Sequence, residues 1–200
     1  MSRFFYVLTA SVATVALGIS LITQPLPRLI WNASASVPIG LYQLSPEHRY
    51  QRGDLVAALP PEPIAKLMAA RVYLPRGVPL LKHITAVSGD TVCRSGLRIA
   101  INHHDMGAAR RRDALGRSLP RWQGCQKLKT GQVFLMNSAV PDSFDGRYFG
   151  PLATITIIGR LTPIWTPQHA LALFLGDATR SKNGQRRRST THSNRMKQEQ

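Results

Sequence analysis

Val78-Pro79-Leu80-Leu81-Lys82-His83-Ile84-Thr85-Ala86 alternates as a β-strand does, with Leu80, Lys82, Ile84 and Ala86 on one face and Leu81, His83 and Thr85 on the other. A lysine therefore stands in a row of apolar side chains. An ammonium facing such a surface is poorly solvated. Desolvation lowers a lysine pKa from its free value of ~10.4, each unit costing the charged form about 1.4 kcal/mol. The alternative is an edge-strand lysine whose stem lies on the sheet while its head reaches water.

Outward from this strand, short β-rich runs alternate with Gly, Pro and Asp punctuation: Leu55 to Leu59, Leu80 to Val87, Leu97 to Ile101, Val133 to Met136 and Thr154 to Ile158. The pattern predicts a mostly β domain between about residues 30 and 166. Helix is a minor component, the best soluble candidate being Pro63 to Arg71 with Ile64, Leu67 and Met68 on one face. The 200 residues hold 26 Lys+Arg, 10 Asp+Glu and two Cys, for a net charge of +16, which excludes a disulfide-built miniprotein or a zinc-ribbon array. There is no solenoid repeat, Gly-rich phosphate loop, HExxH or paired CxxC, so no metal and no cofactor is expected.

The ends differ from the middle. Residues 4–23, FFYVLTASVATVALGISLIT, carry no charge, and a helix of that length reaches about 30 Å, enough for a bilayer core. Arg3 before the run favours a cytoplasmic N-terminus, leaving the rest of the chain outside the cytoplasm. A cleaved secretory signal is the competing account, and Ala33-Ser34-Ala35 has the small-x-small form. It lies well beyond the apolar run and after Pro25, Pro27 and Arg28, so an uncleaved anchor is preferred. Residues 179–200 hold seven Lys+Arg and one Glu without apolar periodicity, which predicts a disordered basic tail and leaves +10 for the rest. The expected division is a membrane anchor over 1–25, a folded domain over 26–166, a short terminal segment over 167–178 around Leu171 to Leu175, and the tail.

Three clusters can carry chemistry. Ser36 lies in the Pro/Gly-kinked stretch Asn32-Ala33-Ser34-Ala35-Ser36-Val37-Pro38-Ile39-Gly40-Leu41-Tyr42, just past the apolar run. A serine nucleophile needs a base, and the candidates are Lys82 or His83, which point to opposite faces of a regular strand. His103 and His104 fall in an Arg-rich excursion and read as exposed. Asp145 and Arg147, two apart on an extended chain, share a face and can pair, although turn chemistry explains Asp142-Ser143-Phe144-Asp145-Gly146 as well. Cys93 and Cys125 bracket the excursion. In an oxidising compartment they can form a disulfide, and closing ~33 residues contributes about 3.7 kcal/mol in the chain-entropy account. Two separate thiols are the alternative.

Taken in order, these stretches resemble the sequence boxes of type I signal peptidases, the Ser-Lys serine peptidases, and most closely their conjugative-transfer (TraF-type) branch. Ser36-Val37-Pro38-Ile39-Gly40-Leu41-Tyr42 resembles the nucleophile box and Arg52-Gly53-Asp54-Leu55-Val56 the structural box that follows. Lys82-His83-Ile84-Thr85-Ala86-Val87-Ser88-Gly89-Asp90 resembles the lysine box, and Ser143-Phe144-Asp145-Gly146-Arg147-Tyr148-Phe149-Gly150 the last. The resemblance implies an antiparallel β catalytic domain on one N-terminal transmembrane helix, at the bacterial inner membrane and facing the periplasm. It further implies Ser36 as nucleophile and Lys82 as general base. The Ser36 N–H and the Ser34 hydroxyl would form the oxyanion hole, Ser143 would orient the lysine, and Asp145 with Arg147 would brace the site. Only Val37 separates Ser36 from Pro38, and no Gly-Asp-Asn-Arg run precedes Ser143; both features depart from general signal peptidases and are shared with the conjugative branch.

The implied partners are the lipid bilayer and a membrane-presented precursor, a conjugative pilin, cleaved and in some systems closed into a ring. A housekeeping signal peptidase is the nearest rival. A membrane-tethered, non-catalytic component of a transfer apparatus, binding DNA or lipid through its arginines, is the rival from another class. No aromatic residue interleaves the tail's arginines, so nucleic acid is not an expected partner.

Overall fold

The computed structural model describes residues 3–22, 28–47 and 49–167, without the side chains of 17 and 19–22. The expected terminal segment and basic tail lie outside the described residues. In chain order the elements are α1 (Arg3–Ile22), β1 (Leu29–Asn32), β2 (Gly40–Ser45), β3 (Leu55–Ala58), α2 (Glu62–Ala70), β4 (Leu80–Ala86), β5 (Thr91–Ser95) and β6 (Arg98–Ile101). They continue with β7 (His104–Ala108), β8 (Gly124–Lys127), β9 (Gln132–Leu135), α3 (Gly146–Phe149), β10 (Leu152–Ala153), a single 3-10 turn over Thr154–Thr156, and β11 (Ile157–Trp165).

The strands form two sheets, both antiparallel; the alternating runs predict the mostly β content and the resemblance the antiparallel pairing. The larger has the order β1-β2-β11-β3-β4-β9-β10 and the smaller β7-β6-β5-β8. Three apolar clusters hold them. Val56, Ala58, Ile84, Val133 and Leu135 pack one face of the large sheet. Tyr42, Leu44, Ala57, Leu81 and Leu161 pack another region of it. Ala86, Phe134 and Met136 join it to Val92, Ile99 and Ile101 of the small sheet. β4 and β9 supply residues to the first and last of these clusters, so the strand that bears Lys82 lies at the centre of the packing.

Two local expectations change. Thr154 to Ile158 is not one strand: the Thr156 hydroxyl donates to the Ala153 carbonyl at 2.7 Å, a side-chain bond that competes with the ladder, and β11 begins only at Ile157. Ile155 consequently points to solvent, 91% exposed. Nor is the chain extended from Asp145 to Arg147; Asp145 caps α3, accepting from the Arg147 N–H at 3.1 Å.

α1 covers almost all of the uncharged N-terminal run. Among the described residues no helix is long and apolar enough to cross a membrane.

Candidate active site

The Ser36 loop is built by the residues that flank it. Asn32, at the end of β1 and 5% exposed, donates through Nδ2 to the carbonyls of Ser34 (2.8 Å), Val37 (3.0 Å) and Pro38 (3.0 Å). Its Oδ1 accepts from the Ser34 N–H at 3.0 Å and the Ser34 hydroxyl at 2.8 Å. The Tyr42 hydroxyl closes the other side, donating to the Pro38 carbonyl at 2.6 Å. Gly40 lets the chain pass against β11: a Cβ there would stand 2.1 Å from the Trp165 carbonyl oxygen. The loop thus places Ser36 at the mouth of a cleft, with its Oγ 3.2 Å from Ser34 Oγ.

β4 supplies the lysine. Lys82 pairs in register with Val56 of β3 and is 3% exposed, so its head does not reach bulk water as an edge lysine's would. Its ammonium donates to Ser143 Oγ at 2.9 Å, and Ser143 is itself buried. Burial pushes the Lys82 pKa down to about 8; the negative charge of Asp145 opposes that shift and the positive charge of Arg147 adds to it. His83, on the other face, bonds Asn137 through Nδ1 and does not approach Ser36. His103 and His104 are exposed.

Asp145 and Arg147 form a buried pair, joined by Nε to Oδ1 and Nη2 to Oδ2, each at 2.9 Å. The guanidinium also donates to the carbonyls of Val140 (2.7 Å) and Ser143 (3.1 Å). One side chain therefore fixes the loop that presents Ser143 to Lys82. A buried charge pair persists only when its remaining donors are satisfied, and these carbonyls satisfy them.

Sequence reasoning missed Asn137. Its Nδ2 donates to the Ser36 carbonyl at 2.6 Å and to the Leu81 carbonyl at 3.2 Å, while Oδ1 accepts from the His83 N–H at 3.0 Å. Its own N–H donates to Asp145 Oδ2 at 3.1 Å. One amide thereby fastens the Ser36 loop to both neighbours of Lys82 and to the buried ion pair. The only signal available was an Asn closing the apolar run Val133-Phe134-Leu135-Met136, which reads equally well as a turn.

Ser34, Ser36, Lys82 and Ser143 all line one cleft of about 620 Å³, whose apolar walls include Ile30, Met68, Leu80 and Phe144. Among the described residues there is no Ser36–Lys82 hydrogen bond; Ser36 bonds Ser34 within its own loop and Lys82 bonds Ser143. The structural box and the end of the lysine box meet away from it, where Arg52 pairs with Asp90 at 2.7 Å and Asp90 also accepts from the Val87 N–H and the Asn102 amide. Cys93 and Cys125 are disulfide-bonded and face each other across β5 and β8. They join neighbouring strands of the small sheet rather than tying that sheet to the large one. No cluster of three or more His, Cys, Asp or Glu is placed to hold a metal among the described residues.

Residues 1–166 match the family described as signal peptidase, peptidase S26. The chain belongs to the signal peptidase S26 family, on its TraF-like side. It is 32% identical over 145 residues to the plasmid transfer protein TraF of Escherichia coli, covering 68% of this chain and 81% of that protein. The conjugal transfer protein TraF of Agrobacterium fabrum gives the same identity and coverage. A signal peptidase I structure from Enterococcus faecalis overlaps 59% of this chain and 100% of its own at 20% identity and a TM-score of 0.35; the family assignment rests on the sequence matches. An S26 member is a serine-peptidase-type enzyme that acts on a precursor protein.

Proposed function

We propose that this TraF-like peptidase is anchored in the bacterial inner membrane by α1 and cuts a membrane-presented pilin precursor on the periplasmic side, using Ser36 as nucleophile and Lys82 as general base. In this division residues 1–25 anchor the chain and 26–166 form the catalytic domain. The observation that carries the proposal is Lys82: a lysine buried in a cleft with a serine, its pKa brought to about 8, is neutral in about one molecule in ten at pH 7 and can accept a proton.

Attack requires Ser36 to exchange its Ser34 partner for Lys82 Nζ. Ser36 Oγ then bonds the scissile carbonyl carbon as its proton passes to Lys82. The oxyanion is met by the Ser36 N–H and the Ser34 hydroxyl, the latter turning from Asn32 Oδ1. Collapse breaks the peptide bond, Lys82 returns the proton to the leaving amine, and an acyl-Ser36 ester remains. Water resolves the ester to a free carboxylate. The precursor's own N-terminal amine, held closer than an activated water, would instead close a ring.

The test is mass spectrometry of a candidate pilin precursor co-expressed in membranes with the wild-type chain or with Ser36→Ala. Loss of a terminal peptide with the wild type alone is the expected result, and a further deficit of about 18 Da, one water, would mark ring closure. Equal processing by Ser36→Ala would overturn the Ser36 assignment. An intact pilin alongside a cleaved general signal-peptide reporter would move the substrate to the housekeeping class.

A further inference from the structure

A second cavity, of about 410 Å³, opens on the small sheet and the loop after β7. Arg94, Arg110, Arg111, Arg112 and Arg121 line it, and no Asp or Glu does. Arg110 is paired with Asp142; the other four form no ion pair among the described residues. Arg94 is the built part of the site. It is 2% exposed, its Nη1 donates to the Arg147 carbonyl and its Nε to the Gly96 carbonyl at 3.2 Å, and its Nη2 makes no hydrogen bond among the described residues. Burial pushes the Arg94 pKa down; Tyr148 works against that shift and the neighbouring Arg121 charge adds to it.

Converging guanidiniums repel one another and destabilise the fold unless an anion is shared among them. Arginine's planar fork matches the oxygens of phosphate: a monoester or pyrophosphate end offers three acceptors and up to about two negative charges, more than a carboxylate, whereas a diester headgroup offers two acceptors and one charge. The lining contains Leu97 and Leu119 but no aromatic ring, so it lacks the platform on which a nucleobase stacks. We propose that this pocket binds a phosphate group, carried by a phospholipid headgroup or by a soluble phosphate. The pocket shares Arg110, Arg112 and Leu119 with the lining of the Ser36–Lys82 cleft, but the inference does not rest on that chemistry.

The experiment titrates the full chain in detergent, at fixed salt, with inorganic pyrophosphate, dihexanoyl-phosphatidylglycerol and dihexanoyl-phosphatidylcholine. The comparison variant is Arg111→Gln/Arg121→Gln, which replaces two exposed side chains that bond nothing else. Saturable binding of pyrophosphate or of the anionic lipid, weakened about tenfold or more in the variant, is expected. Preference for the lipid or for pyrophosphate identifies the source. Arg111→Lys/Arg121→Lys, which keeps the charge and loses the fork, should fall between the two and guards against misfolding of the Gln variant. No saturable binding, equal affinity in variant and wild type, or saturation by a Glu-rich peptide or a thymidine oligomer in place of the phosphates would overturn the proposal.

Discussion

Lys82 links chemistry to stability. Its folded pKa of about 8 lies below the ordinary lysine value of 10.5, so between those pH values the unfolded chain binds more protons than the folded one and stability rises with pH. The full rise is about 3 kcal/mol, absent below pH 8 and complete near 10.5. Lys82→Met should remove this rise, read as the wild-type minus variant difference in urea midpoint from pH 7 to 10; parallel profiles would contradict a depressed pKa. In the wild type kcat/KM should increase about tenfold per unit up to pH 8 and then level off, because only the neutral amine takes the Ser36 proton. Asn137→Ala tests the fastening of the nucleophile loop. It leaves the Ser36 and Leu81 carbonyls and the His83 N–H without their amide partner, and should cost about 1–3 kcal/mol of stability. The fall in kcat should be larger than that loss of stability implies at a temperature where the variant is folded. An unchanged kcat would reduce Asn137 to a structural part. Strand alternation put Lys82 on the apolar face but left an edge lysine open; its pairing with Val56 of β3 and its burial close that alternative. Asn137 was not legible in the sequence, because an amide that reaches residues 36, 81 and 83 acts across distances no local pattern encodes.

At the level of elements, four of the eleven described strands followed from the apolar runs while the connections did not. β3, β4, β6 and β9 fall within a residue or two of the apolar runs that predict them. The 3-10 turn at Thr154–Thr156 and the cap at Asp145 depend on side-chain to backbone bonds that look like strand positions when read as letters. Gly40 shows why the nucleophile box needs its glycine. Gly40→Ala would drive a methyl into the Trp165 carbonyl, forcing β2 and β11 apart beside the Ser36 loop; it should cost about 2 kcal/mol or more and lower activity with it. A fully active, fully stable variant would show that the two strands yield. The disulfide makes the opposite case. Cys93→Ser/Cys125→Ser removes a link between strands already paired in the small sheet, whereas Ser36, Lys82 and Ser143 stand around the cleft against the large one. The expected loss is about 2–4 kcal/mol by denaturant unfolding with kcat retained in the folded enzyme; a collapse of kcat at low denaturant would place the small sheet inside the working unit.

Across the whole molecule, the basic C-terminal stretch and the chemistry are separate in sequence. The net charge is +16, of which residues 179–200 supply +6, while the residues around the cleft all fall between 30 and 148 and are held by strands that end at Trp165. Burial sets the Lys82 pKa, and the charges that modify it belong to the adjacent Asp145–Arg147 pair, which is internally neutral. A solvated basic segment is screened from it beyond about 8 Å at physiological salt. Deleting 179–200 should therefore leave kcat and the pH profile near those of the full chain in detergent. If the tail draws the enzyme toward anionic membrane, the deletion should raise KM for a vesicle-borne precursor and lose that effect as salt is increased, because each Lys or Arg near such a surface contributes about 1 kcal/mol of screened attraction. A drop in kcat on a soluble peptide would mean instead that the tail reaches the cleft.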